Sequence, residues 1–418
     1  MEVIKIEGAR PLRGVVKIDS AKNSTVALIP AAILAETPVT LEGIPHIVDV
    51  KHLGAMIAQL GGSFKYEEDD FIIDPAGLKS TPLIDGPVTK LRASYYFMGA
   101  LLAKFNEAQI GMPGGCYLGP RPIDLHLKGF EALGATVIQE AGTIKLSAPN
   151  GLKGARIYLD FPSVGATINI MLAASKAEGT TVIENAAKEP EIVDLANLLN
   201  GMGASVRGAG TEEIRIQGAS GLTGVRHAII PDRIEAGTYL ALAAVAGEEI
   251  KIENIIPHHL EALISKLREM GADIDVQTDH VIVRGRKPLK AVDFKTSIYP
   301  GLATDLQQPL VTILACSEGM GMVEDTIYSD RFKNCYELNK MGANIKVQAN
   351  SAIVQGPTVL RGTRVAASDL RAGASLVIAA LVAEGITEIE NTHHIDRGYS
   401  NIEEKLTNLG AKVWRDEI

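Results

Sequence analysis

The stretch AEGTTVIENAAKEPEIVDLANLLNGMGA, residues 177–204, contains the pattern on which the whole chain is built. It opens with a glycine turn and a short β-rich run that ends at Asn185, which predicts a strand. An amphipathic helix is predicted next, because four apolar residues recur at the i, i+3, i+4, i+7 spacing of one helical face: Leu195, Leu198, Leu199 and Met202. Gly203 then occupies the position of a helix C-cap glycine.

Six copies of the tripeptide Leu/Met-Gly-Ala/Gly show that this pattern is repeated along the chain. The copies begin at residues 60, 133, 202, 270, 341 and 409, with spacings of 73, 69, 68, 71 and 68 residues. Two strands in hairpin style are predicted after each tripeptide, and a second helix closes each repeat. These second helices are apolar on all sides, which is typical of enclosed helices: residues 25–35, 95–103, 167–177, 238–246, 310–315 and 375–383. The period is too long for an open solenoid, so we expect an α/β protein with closed domains of three repeats each.

Length and composition limit the classes to which the protein can belong. A chain of 418 residues is too long for one ordinary core, which predicts two domains of roughly 200 residues. The net charge of −9 argues against a general nucleic-acid binder. We expect neither a signal peptide nor a membrane span, because no apolar run reaches the roughly 18–20 residues that a bilayer requires. The three cysteines have no paired spacing, which argues against a disulfide framework and a zinc site. A cytoplasmic protein is therefore expected.

Cations lie at the predicted starts of three enclosed helices. Lys22, Arg92 and Arg371 all precede or open such a helix. The start of a helix presents unpaired N–H groups and the positive end of the dipole, so a cation there is unfavourable unless an anion lies beside it. Ser163 and Thr304 occupy similar positions but are equally well explained as ordinary N-caps. The cations therefore predict binding of anionic ligands.

The second repeat departs from the others in a stretch rich in glycine and proline, residues 111–124. Such a composition predicts a loop that can act as a mobile lid. Cys116 lies in this loop close to Arg121, and neighbouring cations would favour its thiolate form. Cys316 and Cys335 lie on predicted helices and are expected to be structural. Cys116 is therefore the candidate reactive thiol.

These residues resemble the UDP-N-acetylglucosamine 1-carboxyvinyltransferase family. The segments that carry the resemblance are Lys22-Asn23, Pro113–Cys116, Gly119–Asp124, Pro231–Glu235, Thr304-Asp305, Asp369–Ala372 and His394–Tyr399. The match extends from Lys22 to Leu409 without a large insertion or gap. Ser20 and Tyr328 depart from it, since many members have glycine and several have phenylalanine there.

The resemblance implies a two-domain inside-out α/β barrel, the enolpyruvyl transferase fold. Residues 22–229 would form the domain with the Cys116 loop, residues 1–21 plus 230–418 would form the second domain, and the active site would lie in the cleft between them. The implied reaction transfers the enolpyruvyl group of phosphoenolpyruvate to the 3'-hydroxyl of UDP-N-acetylglucosamine and releases phosphate. This is the first committed step of peptidoglycan synthesis, on which cell-wall biogenesis, cell shape and cell division depend. The two substrates are the implied partners, without nucleic acid, membrane, metal or cofactor, and the oligomeric state stays open.

The resemblance also implies roles for individual residues. Cys116 would protonate the methylene carbon and can form a covalent adduct, which makes it the target of fosfomycin, and Asp305 would be the general base. Lys22, Arg121 and Arg397 would hold phosphoenolpyruvate through charge-assisted bonds. Asn23 would bond its phosphate or the reacting oxygen. The other implied substrate-binding residues are Arg92, Pro122, Ile123, Asp124, Leu125, Ser163, Val164, Gly165, Ile327 and Arg371.

Three alternatives stay open at this point. A sister enzyme, 3-phosphoshikimate 1-carboxyvinyltransferase, shares the fold and the donor but lacks the cysteine loop. A non-catalytic repeat protein that binds a sugar nucleotide would release no phosphate. A hydrolase based on Cys116 would need a histidine base, and none is evident. The doublets His258-His259 and His393-His394 do not predict a metal site, because adjacent helical residues point about 100° apart.

Overall fold

The computed structural model describes residues 2–112, 123–140, 142–285 and 288–417. Its internal contacts divide the chain into two compact units. Unit N contains the described residues from Ser20 to Ile230, and unit C contains those of Met1–Asp19 and Pro231–Ile418. The chain therefore passes from one unit to the other twice, after Asp19 and after Ile230.

Twelve α-helices occur within the described ranges. They are α1 (Lys22–Ala32), α2 (Val48–Gln59), α3 (Tyr96–Phe105), α4 (Asp124–Ala132), α5 (Val164–Ala174), α6 (Pro190–Met202), α7 (Arg233–Ala246), α8 (Glu261–Glu269), α9 (Gln307–Ala315), α10 (Asn334–Lys340), α11 (Leu370–Val382) and α12 (Ile402–Asn408). Even-numbered helices follow the amphipathic pattern of the repeat, and odd-numbered helices are the enclosed ones.

The strands are short, as the repeat predicts. They are β1 (Glu2–Glu7), β2 (Leu12–Lys17), β3 (Val39–Glu42), β4 (Ser63–Glu67), β5 (Asp70–Asp74), β6 (Glu107–Gly111), β7 (Thr136–Glu140), β8 (Thr143–Ser147), β9 (Arg156–Tyr158), β10 (Thr180–Glu184), β11 (Ser205–Arg207), β12 (Glu213–Gln217), β13 (Arg226–Ala228), β14 (Gly247–Glu253), β15 (Asp273–Val276), β16 (His280–Arg284), β17 (Phe294–Lys295), β18 (Gly319–Glu324), β19 (Asn344–Gln348), β20 (Ser351–Gly356), β21 (Arg364–Ala366), β22 (Ile386–Glu390) and β23 (Lys412–Glu417).

Each repeat contributes one small sheet. In unit N the strand orders are β13-β3-β5-β4, β6-β8-β7 and β11-β12-β10-β9. The parallel pairing of β13 with β3 joins the last strand of this unit to its first sheet. In unit C the orders are β15-β16-β14-β2, β17-β18-β20-β19 and β21-β22-β1-β23. The chain start completes two of these sheets, because β2 pairs with β14 and β1 pairs with β22 and β23.

The prediction that each amphipathic helix ends at a glycine is confirmed. All six tripeptide glycines have a positive φ, a conformation that an L side chain rarely adopts: Gly61, Gly134, Gly203, Gly271, Gly342 and Gly410. The enclosed helices are also confirmed, since α5 is buried at every residue from Ala166 to Ala174. Their starts differ in detail from the prediction. Helix α1 begins at Lys22, and a 3₁₀ turn, Arg92–Tyr95, precedes α3.

The repeated Glu-Asn at the end of a strand has a structural explanation. Asn185, Asn254 and Asn391 all have a positive φ, which ends the strand. Their side-chain amides donate to a backbone carbonyl next to the neighbouring parallel strand: Asn185 to Leu159, Asn254 to Ile18 and Asn391 to Ala367, at 2.7, 2.7 and 3.3 Å. The asparagine therefore links two strands that the sequence separates.

Each unit has its own hydrophobic core. The core of unit N is built from buried residues between Val26 and Ile229, and the core of unit C from residues between Ile4 and Ala411. In unit N, helix α3 approaches α5 closely at Gly99, where an added Cβ would lie 2.4 Å from the backbone oxygen of Asn169. Within the described ranges, no helix is both long and apolar enough to cross a bilayer.

Candidate active-site residues

Lys22 and Asn23 are the first two residues of α1, and a buried carboxylate holds the lysine. Lys22 Nζ lies 3.0 Å from Asp49 Oδ2, and the Asp49 side chain is 0% exposed. Asp49 belongs to the first turn of α2, where the helix dipole favours an acidic residue. The sequence predicted that only an anionic ligand would balance the charge of Lys22 at the start of α1. This prediction was incomplete, because Asp49 of the protein itself pairs with Lys22.

A second buried carboxylate fixes the same turn of α1. The hydroxyl of Ser24 donates to Asp194 on α6, and His227 Nε2 lies 2.7 Å from the other Asp194 oxygen. The backbone N–H of Ile230 also donates to Asp194, at 3.4 Å. Asp49 and Asp194 thus orient the turn that presents Lys22. Neither acid was predicted from the sequence, although Asp49 directly follows the first residue of a helix.

The other predicted residues of unit N also lie at helix starts. The Arg92 guanidinium lies 5.4 Å from the centre of the Tyr95 ring, a cation–π distance. Ser163 is the N-cap of α5, and its hydroxyl accepts the N–H of Ala166 at 3.2 Å. Val164 and Gly165 are the first residues of α5.

Ile123 precedes α4, and Asp124 and Leu125 open this helix. Cys116, Arg121 and Pro122 lie outside the described residues, so their predicted placement is not addressed by the structure. The other two thiols are structural, as expected: burial raises the pKa of both Cys316 and Cys335 to about 12. Neither is therefore nucleophilic near neutral pH.

In unit C, two buried arginines bind Asp305. Arg331 Nη2 lies 2.7 Å from Asp305 Oδ1, and Arg371 Nη2 lies 3.3 Å from Asp305 Oδ2. The arginine side chains are only 3% and 4% exposed, whereas that of Asp305 is 25% exposed. The carboxylate of Asp305 is therefore more exposed than the two guanidiniums that hold it, and the bonds to them fix its position. Arg331 was not predicted from the sequence. The pattern that could have indicated it is the pair Asp330-Arg331, which is similar to Asp396-Arg397.

Arg371 is positioned by the start of α11. The side chain of Asp369 caps this helix and accepts the backbone N–H of Arg371 at 2.9 Å. The guanidinium donates to the hydroxyl of Tyr399 at 3.0 Å, and Thr238 lies 2.8 Å from the same hydroxyl. Burial works to lower the pKa of Arg371, but Tyr399 and Asp305 outweigh it and raise the pKa above the usual range. The arginine is therefore charged at any physiological pH.

Asp325 connects Ile327 to the Asp305 segment. One Asp325 oxygen accepts the backbone N–H groups of Ile327 and Tyr328, at 2.9 and 3.0 Å. The other accepts the hydroxyl of Thr304 at 2.7 Å. Thr304 in turn accepts a hydrogen bond from Arg331 at 3.0 Å. The structure thus brings Asp305, Arg371 and Ile327 into one network, while Arg397 ends a separate 3₁₀ turn, Thr392–Arg397.

An ionic cluster in unit C lies beside both crossings of the chain, the one after Asp19 and the one before Pro231. Lys405 Nζ contacts Glu235 Oε1 at 2.6 Å and Asp19 Oδ2 at 2.9 Å. The backbone N–H of Asp19 donates to Glu235 at 2.8 Å, and that of Asp232 donates to the Asp19 carbonyl at 2.8 Å. One lysine therefore anchors both crossing segments. Burial raises the pKa of Glu235 to about 7, although Lys405 opposes this shift.

Both histidine doublets lie in 3₁₀ turns, Pro257–Leu260 and Thr392–Arg397. In the part of the chain that the structure describes, no three or more His, Cys, Asp and Glu side chains converge in a way that could hold a metal ion.

Replacing Glu235 by glutamine should change how stability depends on pH. A folded-state pKa of about 7 exceeds the usual glutamate value of about 4.3, so the folded state holds this proton more tightly. The stabilisation is present below pH ~4 and is lost as pH rises towards ~7. The Tm of Glu235→Gln relative to the parent should therefore rise between pH 5 and 7 and then level off, as measured by thermal unfolding.

The matched control for this measurement is Glu404→Gln, because Glu404 is exposed on α12. Its Tm difference from the parent should not depend on pH in the same window. A constant difference for Glu235→Gln as well would contradict the raised pKa.

Comparison with known proteins supports the predicted fold and assigns the chain to a family. Residues 6–406 match the family model of EPSP synthase (3-phosphoshikimate 1-carboxyvinyltransferase). UDP-N-acetylglucosamine 1-carboxyvinyltransferase 2 of Geobacillus kaustophilus is 59% identical over 418 residues, covering 100% of this chain and 97% of that protein. The protein of the same name from Bacillus subtilis is 57% identical with the same coverage.

Two solved structures resemble the chain over nearly its whole length. The enolpyruvyl transferase NikO from Streptomyces tendae has a TM-score of 0.90 and 28% identity, with 99% of each chain covered. EPSP synthase from Acinetobacter baumannii has a TM-score of 0.79 and covers 100% of each chain. Its identity is 19%, so this likeness concerns the fold alone.

Proposed function

The chain belongs to the EPSP synthase (3-phosphoshikimate 1-carboxyvinyltransferase) family, and from this premise we propose that it is the enolpyruvyl transferase that uses UDP-N-acetylglucosamine as acceptor. It transfers the enolpyruvyl group of phosphoenolpyruvate to the 3'-hydroxyl of this sugar nucleotide and releases phosphate, the first committed step of peptidoglycan synthesis. The choice of UDP-N-acetylglucosamine as the acceptor rests on the full-length identity of 57–59% to proteins that are named for this reaction. The predicted enolpyruvyl transferase fold is confirmed by the family match and by NikO.

Asp305 is proposed as the general base for the acceptor. The 3'-hydroxyl oxygen bonds to C2 of phosphoenolpyruvate while its proton passes to Asp305, and Cys116 gives a proton to the methylene carbon. The tetrahedral intermediate then loses phosphate, which takes up the proton held by Asp305, while the Cys116 thiolate takes a proton from the new methyl carbon and the double bond is restored. Arg331 and Arg371 support this role, because their bonds to Asp305 aim the carboxylate and keep its position during the reaction.

Phosphoenolpyruvate is proposed to bind to Lys22, Asn23, Arg121 and Arg397. The Asp49–Lys22 ion pair supports the assignment, since a lysine already oriented by a buried carboxylate loses less side-chain freedom when it binds an anion. The cations supply the positive charge that two anionic substrates require, so the proposed reaction uses no metal or other cofactor.

The sugar nucleotide is proposed to contact the helix starts of unit N, where amide N–H groups and Arg92 favour its diphosphate. The proposed contact residues in unit N are Arg92, Pro122, Ile123, Asp124, Leu125, Ser163, Val164 and Gly165, and those in unit C are Ile327 and Arg371. We further propose that residues 22–229 and residues 1–21 plus 230–418 act as two domains that close around the substrates, and that the protein works in the cytoplasm. Identical small-angle scattering with and without UDP-N-acetylglucosamine would argue against closure.

Phosphate release is the direct test of the proposed function. Purified protein with phosphoenolpyruvate and UDP-N-acetylglucosamine should release one phosphate for each enolpyruvyl sugar nucleotide formed, followed by mass spectrometry of the product. Either substrate alone should give no release. Replacing the acceptor by shikimate 3-phosphate tests the sister activity, and preferential turnover of that acceptor would overturn the proposal.

Cys116 should react selectively with an electrophilic epoxide that resembles phosphoenolpyruvate, such as fosfomycin. Peptide mass mapping should find the adduct on Cys116 and leave Cys316 and Cys335 unmodified, because their raised pKa values leave almost no thiolate. Denatured protein treated with iodoacetamide, which should label all three cysteines, is the control. An epoxide adduct on Cys316 would contradict the assignment.

Lys22 should determine the affinity for phosphoenolpyruvate. Because removing Lys22 alone would break the ion pair of a buried carboxylate, the variant is Lys22→Met in an Asp49→Asn background. We expect kcat/KM for phosphoenolpyruvate to fall about 10- to 100-fold relative to Asp49→Asn, as for loss of one bond to a charged group. The KM for the sugar nucleotide and the Tm should change little. Unchanged kinetics with phosphoenolpyruvate would exclude the proposed role.

A further inference from the structure

The end of β18 departs from a pattern that three other repeats share. Strands β10, β14 and β22 each end at a glutamate that an asparagine follows, whereas β18 ends at Glu324 and Asp325 follows. The asparagines link two parallel strands through a side-chain amide, which donates the hydrogen bond. An ionised carboxylate has no hydrogen to donate, so Asp325 cannot make the same link.

Thr326 makes this link in place of the asparagine. In the other repeats the amide donates to the carbonyl of the residue that directly follows the parallel strand. Here that residue is Thr296, which follows β17, and the Thr326 hydroxyl donates to its carbonyl at 2.7 Å. The Thr326 backbone N–H also donates to the Thr296 hydroxyl, at 3.1 Å. The link between the strands therefore does not explain why position 325 carries an aspartate.

Asp325 accepts hydrogen bonds from four neutral donors. Its side chain belongs to a residue that is only 1% exposed. The donors are the hydroxyls of Thr296 and Thr304 and the backbone N–H groups of Ile327 and Tyr328, at 2.7 to 3.0 Å. Thr304 donates to one carboxylate oxygen and the other three donate to the second oxygen. An asparagine has one acceptor oxygen and would turn its NH₂ group towards one side of this set, so the donors favour aspartate.

Arg331 fixes the direction of the bond between Thr304 and Asp325. A guanidinium can only donate, so the Thr304 hydroxyl accepts from Arg331 Nη1 at 3.0 Å. The hydrogen of this hydroxyl then points to Asp325 Oδ2, at 2.7 Å between the oxygens. The other end of the same guanidinium, Nη2, lies 2.7 Å from Asp305 Oδ1. The chain of bonds from Asp325 to Asp305 therefore has a defined direction at each step.

This chain of bonds begins at a sheet and ends at a more exposed side chain. The backbone N–H of Asp325 donates to the carbonyl of Asn350 at 2.8 Å, and the Asn350 amide donates to the Asp325 carbonyl at 3.2 Å. Asn350 lies in the turn between β19 and β20, which belong to the same sheet as β18. Asp305 lies in a 3₁₀ turn of three residues, a structure with weaker hydrogen-bond geometry than an α-helix. The sheet therefore supplies a fixed point from which the turn is held.

We propose that Asp325 is a positioning residue for the general base Asp305, acting through the hydroxyl of Thr304 and the guanidinium of Arg331. This inference rests on the proposed function and adds to it the residues that orient the base. The acceptor hydroxyl passes its proton to Asp305 only when the carboxylate is held within hydrogen-bond reach, and a small displacement costs much of the rate. Loss of the Thr304 hydroxyl should therefore lower kcat, while binding of phosphoenolpyruvate to Lys22 on α1 should not change.

The first test removes the hydroxyl of Thr304 and then restores it. Thr304→Val, which has nearly the same size, should lower kcat about 10- to 100-fold, the effect of losing one bond to a charged group. The KM for phosphoenolpyruvate should stay close to that of the parent. Thr304→Ser keeps the hydroxyl and should recover most of kcat. A parental kcat in Thr304→Val, or a serine variant as slow as the valine variant, would overturn the proposal.

Thr326 supplies the matched control, because its hydroxyl makes the link between strands. Thr326→Val should lower the Tm and leave kcat close to that of the parent, whereas Thr304→Val should show the opposite pattern. Thermal unfolding and steady-state kinetics of the full-length protein measure both quantities. If Thr326→Val lost as much kcat as Thr304→Val, the stability of this repeat and not the position of the base would govern turnover, and the proposal would be wrong.

The second test exchanges aspartate and asparagine between repeats. Asp325→Asn introduces the residue that the other repeats carry and should lower kcat about as much as Thr304→Val does. Asn254→Asp is the reciprocal exchange after β14, and it should lower the Tm through loss of the strand link while kcat stays unchanged. Should Thr304→Val fail to fold, Asp325→Asn decides by the same criterion, and a parental kcat would again overturn the proposal.

Failure of the proposed function is distinguishable from failure of this inference. A parent protein that releases no phosphate from phosphoenolpyruvate and UDP-N-acetylglucosamine would overturn the proposed function. Normal turnover by the parent, together with fully active Thr304→Val and Asp325→Asn, would overturn the positioning role alone.

Discussion

The ion cluster of Asp305 with Arg331 and Arg371 is the interaction that organises the candidate site residues of unit C. Moving two guanidiniums out of water costs several kcal/mol for each charge, so they are kept only with charged and hydrogen-bonded partners. Asp305 supplies the charge, and Tyr399 and Thr304 supply further bonds. Asp232 also interacts with Arg371, and the Asp305 carboxylate is more exposed than the two guanidiniums that bind it. This arrangement would hold the proposed general base in a fixed position.

The start of an enclosed helix occurs once in each of the six repeats, with different side chains each time. Each enclosed helix begins close to the end of a strand. In every repeat, the first N–H groups of this helix therefore lie next to side chains of the preceding loop. Ser163, Asp232 and Asp369 cap their helices in the usual way. The start of α1 has no side-chain cap and carries Lys22. The repeats therefore share the same helix starts, and they differ in the side chains that these starts carry.

Buried carboxylates link these positions within each unit. Asp49 and Asp194 fix the first turn of α1, and Asp325 joins the Thr304–Leu306 turn to Ile327. Lys405 connects Asp19 and Glu235 where the chain crosses between units. Asp194, Asp325 and Glu235 each accept several hydrogen bonds, which offsets the cost of burying their charge.

The amino-acid sequence by itself determined the six repeats, their C-cap glycines, the enclosed helices and the cations at the helix starts. These features follow from local rules, since spacing of apolar residues, φ at glycine and the helix dipole depend only on near neighbours. Tertiary structure alone decided the partners. Arg371 meets Asp305 across 66 residues, and His126 meets Asn169 across 43. No spacing rule connects such pairs, because packing of separate helices brings them together.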